Sequence, residues 1–174
     1  MANKGSEYTK RQDGPATVFE VTPAPSPKFT YLLIIGGFFS LIALAANVIF
    51  GALLAAFIVW YGWFRDMRPK GHREVSTFRV MADSIEAGGQ TFKKEDIHRL
   101  ILKNGITDQE LMETYTTNAN AAAGMAHRAN VARVANSLNV EQGGKSFQIA
   151  GGMDETTAYG LLRDVCKVLD FDVK

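Results

Sequence analysis

FTYLLIIGGFFSLIALAANVIFGALLAAFIVWYGWF, residues 29–64, is the stretch on which the fold turns. Its 36 residues include no Asp, Glu, Lys, Arg or His, so the chain's 19 basic and 18 acidic residues all fall in the other 138 of 174 positions. One helix through the whole run would be about 54 Å long at 1.5 Å per residue, against a hydrocarbon core of about 30 Å. A single straight span is therefore too long. Two arms of about 16 to 18 residues fit better, each extended by interfacial aromatics, Tyr31 at the start and Trp60, Tyr61 and Trp63 at the finish. Asn47 to Gly51 interrupts the run with an amide and a flexible backbone, and the expectation is a transmembrane helical hairpin bent there. Gly36 and Ser40 on the first arm, and Gly51 and Ala55 on the second, are small residues four apart and are the expected helix-packing positions. A transporter or pump is not expected, because ionisable groups that would carry protons or ions are missing from the run. A cleavable signal peptide fits poorly, because the run begins near residue 29 and is too long.

Working outward, residues 65–73 carry Arg65, Arg68, Lys70 and Arg73 against Asp66 alone. This basic collar reads chiefly as a topology signal that holds the C-terminal part in the cytoplasm, and secondarily as an anionic-lipid site. On the other side, residues 1–28 are nearly neutral, and Pro23, Pro25 and Pro27 alternate near the membrane edge. They read as a flexible, proline-containing tail, with residues 17–21 as a possible edge strand against a partner or against the chain's own C-terminal domain.

From Glu74 onward 11 Lys and Arg stand against 14 Asp and Glu, which argues against nucleic acid as a ligand. Phe78, Val80 and Ala82 alternate with Thr77, Arg79 and Met81 and predict a strand with one buried face. Gly88 and Gly89 predict a tight hairpin turn, and residues 97–103 another strand. The motif E-x-G-G-x-[ST]-F occurs twice, as EAGGQTF at 86–92 and EQGGKSF at 141–147. Two hairpins of one antiparallel sheet are expected from it. A capping box at Thr107 and Glu110 predicts a helix start, with residues 107–128 readable as helix or loop. Asp154 is expected to cap a last helix, where Ala158, Leu162, Val165 and Leu169 make an apolar stripe widened by Leu161 and Val168.

The order of a membrane hairpin, a basic connector, a small antiparallel sheet and a closing helix resembles the bacterial membrane-anchored pleckstrin-homology-like (PH-like) proteins. The residues that carry the likeness are 77–82, the turn at Gly88 and Gly89, 96–104 (DIHRLILKN) and 146–169, while 107–128 departs from the compact strand order. The resemblance implies an α+β membrane protein whose half-barrel is capped by a C-terminal amphipathic helix. It implies a binding or assembly module and no catalytic residues.

No metal-ligand spacing links His72, His98 and His127, and the lone Cys166 sits in the last helix beside its apolar stripe. Phosphate-loop fingerprints do not occur, although Gly151 and Gly152 precede a helix. The expectation is a non-enzyme with no cofactor and no metal. Its parts are a tail (1–28), a hairpin (29–64), a connector (65–73) and a cytoplasmic PH-like domain (74–174). Such a chain would sit in the bacterial inner membrane and assemble or scaffold a larger complex, such as a secretion or conjugation machine, with the bilayer, other membrane-complex proteins or its own copies as partners. The alternative is a protein that binds or senses anionic lipid.

Overall fold

A computed structural model describes residues 5–66, 68–106 and 127–171. They fall into two compact units: one built from the described residues of 1–25, 68–113 and 131–174, the other from those of 26–67 and 114–130. The capping box at 107–110 and most of the ambiguous 107–128 segment lie outside the described residues.

The first unit is α+β. Strands β1 (Glu7–Asp13), β2 (Ala16–Thr22), β3 (Ser76–Val80), β4 (Ser84–Ala87) and β5 (Gln90–Lys93) form an antiparallel sheet in that order. A second antiparallel sheet holds β6 (Ile97–Asn104), β7 (Asn136–Gln142) and β8 (Lys145–Met153). Both E-x-G-G-x-[ST]-F segments are hairpins, and all four of their glycines have φ between 57° and 77°. Side chains rarely adopt that conformation, so the glycine pair is what permits the two-residue turns. The two hairpins belong to different sheets, β4–β5 to the first and β7–β8 to the second, which corrects the expectation of a single sheet. Local turn chemistry is the same in both, but it carries no information about which sheet a hairpin joins.

Inward positions two apart supply the core: Phe19 and Val21, Phe78 and Val80, Leu138 and Val140. Phe19 stacks on Phe78 with ring centroids 5.3 Å apart. Helix α3 (Glu155–Leu169) adds Ala158, Leu161, Val165 and Leu169 to the same core. Its first turn is capped by Asp154, whose side chain accepts the Thr157 N–H at 2.9 Å, and its last residue is followed by Asp170 in the left-handed region.

Residues 7–22 are a β-hairpin rather than a flexible tail. Glu20 pairs with Thr77 and Phe19 with Phe78, so the stretch weighed as an edge strand is an inner strand of the chain's own sheet. The hairpin is also clasped to α3. Ser6 donates its backbone N–H and its hydroxyl to Asp154, each at 2.9 Å, and Thr157 Oγ1 donates to the Ser6 carbonyl at 2.8 Å. Tyr8 and Lys10 both donate to Asp164, at 3.0 and 2.8 Å. Burial pushes the Asp154 carboxyl up, but the hydrogen bonds from Thr157 and Ser6 outweigh it and hold the group below its usual range.

The second unit is a helical hairpin, α1 (Thr30–Ala46) and α2 (Val48–Val59), with α2 running on into a π-helical turn at Trp60–Phe64. Among the described residues no helix is long and apolar enough to cross a membrane, which overturns the expected transmembrane hairpin and the membrane-spanning fold class. The bend at Asn47 divides the apolar run into a 17-residue arm and a 12-residue arm with a five-residue π turn. At 1.5 Å per residue the 17-residue arm reaches about 25 Å, short of the roughly 30 Å of a hydrocarbon core.

The hairpin is an insertion. β2 and β3 are paired neighbours, Val21 opposite Ser76, yet residues 23–75 lie between them in sequence.

Candidate interaction surface

Asn47 makes the bend. Its N–H donates to the Ala43 carbonyl at 2.8 Å, ending α1, and its side chain accepts the Phe50 N–H at 3.1 Å, capping α2. Its carbonyl takes the Gly51 N–H at 2.9 Å. Its backbone groups and its side-chain oxygen are therefore met within the hairpin. Gly51 allows the arms to approach, since a Cβ there would lie 2.4 Å from the Leu44 backbone nitrogen. Gly36 faces Ile58 and Gly62 faces Leu33 in the same way, each leaving 2.8 Å for an added Cβ. Ser40 is buried and returns its hydroxyl to the Gly36 carbonyl at 2.8 Å. Ala55 is half-buried. Of the four packing positions read from the sequence, Gly36 and Gly51 carry the close approaches and Ser40 bonds within its own helix. Ile58 and Gly62 complete the contact. The spacing of Gly62, four residues after Ile58, was the available signal.

Beyond that seam the surface is oil-like on every side. Val48, Ile49 and Phe50 at the tip are 71%, 75% and 61% exposed. Ile34, Phe38, Phe39, Leu41, Leu53 and Phe57 are exposed along the arms. Neither helix has a polar face, in contrast to α3, whose apolar stripe is narrow and already covered.

The foot differs from the tip. Phe29 N–H donates to the Gly62 carbonyl at 3.0 Å, bringing the start of α1 beside the end of α2. Lys28 Nζ donates to the Trp63 carbonyl at 2.8 Å and lies 5.1 Å from the Trp63 ring centre. The Arg65 guanidinium lies 4.7 Å from the Tyr61 ring centre. Both cations are exposed. His127 stacks on Phe29 with centroids 4.4 Å apart, so the exposed Arg128 next to it is carried to the same end.

The collar read from the sequence is divided by this arrangement. Arg65 stays at the hairpin foot. Arg68 is only 4% exposed and donates to the Ala24 carbonyl, while Arg73 donates to the Arg68 carbonyl. Lys70 is exposed in a 3₁₀ turn, Lys70–His72. Arg68 and Arg73 therefore brace the connector. Lys28 and Arg128 were missed as members of the basic group because their placement depends on Trp63 and Phe29, which lie far away or on another segment.

The remaining candidate residues have structural settings. His72 is 2% exposed, with no hydrogen-bond partner for Nδ1, and burial together with the neighbouring Arg68 charge lowers its pKa against a smaller opposing effect of Gln148. His98 is exposed and His127 buried. The Cys166 thiol is buried in α3 and pushed up by that burial, away from the reactive thiolate. Among the described residues no three His, Cys, Asp or Glu side chains gather as a metal site. An open groove of roughly 680 Å³ runs past Asn104, Arg133, Asn136, Glu155 and Tyr159, lined by charges of both signs.

No family model, curated protein or solved structure matches this chain.

Proposed function

We propose that this chain is a non-enzymatic assembly module held at the cytoplasmic face of a lipid bilayer by a helical hairpin that embeds without crossing, while its β-rich unit is of pleckstrin-homology-like build and binds protein partners of a larger complex. The single observation that carries the reading is the hairpin's surface, apolar around both helices and exposed along its whole length. A protein groove would cover one face of such a pair and leave the rest wet. A lipid phase surrounds it. Each large apolar side chain transferred from water contributes about 1.5 to 3 kcal/mol, so a dozen of them constitute a strong anchor. The five-plus-three antiparallel strands closed by α3 support the PH-like part, and the cations at the hairpin's feet support the cytoplasmic side.

Flotation of the full chain with phosphatidylcholine vesicles tests the anchor. The protein is expected to rise with the vesicles, and a triple variant, Phe38→Glu, Leu41→Glu and Ile49→Glu, to remain below. Wild-type chain that stays in the dense fraction as a monodisperse monomer would overturn the reading.

A further inference from the structure

The hairpin is not uniform along its axis. Its tip is Val48, Ile49 and Phe50 around an Asn47 whose backbone N–H, backbone carbonyl and side-chain oxygen are bonded within the hairpin. Backbone groups so satisfied can enter hydrocarbon, where unmet ones would cost several kcal/mol. Its foot is Trp60, Tyr61 and Trp63 with Lys28 and Arg65 laid against two of the rings, and Arg128 nearby through the His127–Phe29 stack. Asp66, the carboxylate beside Arg65, is already engaged in an interaction of its own.

We infer that the hairpin enters the lipid tip first and stops with its foot at headgroup depth, where Lys28, Arg65 and Arg128 bind anionic phospholipid. This rests on the lipid-held reading above and adds to it a direction, a depth and a preferred headgroup charge. The aromatic rings belong at the interface because they are apolar in body and polar at the edge. Their π faces hold the two cations beside them, and each cation keeps further N–H donors for phosphate oxygens. A hairpin lying flat would instead place tip and foot at one depth, and its all-round apolar surface gives it no side to leave in water.

The chain's two tryptophans, Trp60 and Trp63, both lie at the foot and report depth without any label. In vesicles of phosphatidylcholine and phosphatidylglycerol, lipids brominated near the headgroup should quench them more than lipids brominated near the chain ends. With Phe50→Trp in a Trp60→Phe, Trp63→Phe background the order should reverse. Neutralising Lys28, Arg65 and Arg128 to Gln should weaken binding to the anionic vesicles by about fivefold per cation, and leave binding to phosphatidylcholine vesicles unchanged. Equal quenching of foot and tip at both depths, or binding indifferent to headgroup charge, would overturn this inference while leaving the lipid anchor standing. Failure to bind either vesicle would remove the anchor itself.

Discussion

The hairpin and α3 are both helices rich in apolar residues, yet they meet their surroundings in opposite ways. In α3 the apolar residues recur on one stripe, and Leu161, Val165 and Leu169 are fully covered by the chain's own sheets. In α1 and α2 they occupy every side, and only Gly36, Ser40, Gly51 and Ile58 are buried. An amphipathic helix names a one-sided neighbour, and the protein provides it. A helix without a polar face requires an environment that surrounds it, and the described residues provide only the narrow seam between the two arms.

The largest effect separating the two regions should come from truncating a phenylalanine in each. Phe78→Ala, in the stacked pair with Phe19, is expected to cost about 3 to 5 kcal/mol of stability in denaturant unfolding followed by the strand circular dichroism signal. Phe38→Ala, exposed on the hairpin, should change that transition by less than about 0.5 kcal/mol. Equal costs would mean that the hairpin surface is packed and would break the contrast.

A smaller effect probes the seam. Gly51→Leu places a side chain against the Leu44 backbone and should destabilise the arm packing by about 1 to 3 kcal/mol, broadening the distance distribution between spin labels at positions 41 and 53 in a Cys166→Ala background. Gly37→Leu, which has nothing within 4 Å of its added Cβ, should leave that distribution narrow. Broadening by both variants would remove the special role of Gly51.

The smallest effect concerns the connector. The pKa of His72 lies below its ordinary 6.5 in the folded protein, with burial as the main cause and Arg68 adding to it. The unfolded chain then binds the proton first as pH falls, so this histidine's contribution is present above about pH 6.5 and is lost on acidification through the lower folded value. The denaturant midpoint should decline over that interval, and His72→Gln should flatten the decline. An unchanged slope in the variant would assign the acid sensitivity to another group.

Several elements could be read directly. The glycine pairs at 88–89 and 143–144 announce their turns because positive φ is a property of the residue itself. The Asp154 cap and the stripe of α3 are set within one or two helical turns. β1 was not legible, since EYTKRQD has no apolar alternation and six of its seven residues, all but Tyr8, are exposed. Pairing with β2 and the bonds from Tyr8 and Lys10 to Asp164 give it a place that its composition does not suggest. The foot of the hairpin was half legible. Its aromatics stood out in sequence, but Lys28 meets Trp63 across 35 positions, and Arg68 is a buried brace that donates to the Ala24 carbonyl across 44.

Sequence alone determined that residues 29–64 form apolar helical structure bent near Asn47 and that a β-rich unit closed by an amphipathic helix follows, since charge, turn residues and periodicity act over a few positions. Tertiary structure decided the length of each arm, the strand role of residues 7–22, the split of the glycine hairpins between two sheets, and which cations remain in solvent. Those outcomes depend on register and on hydrogen bonds between segments far apart in the chain, and no local pattern encodes a distant partner.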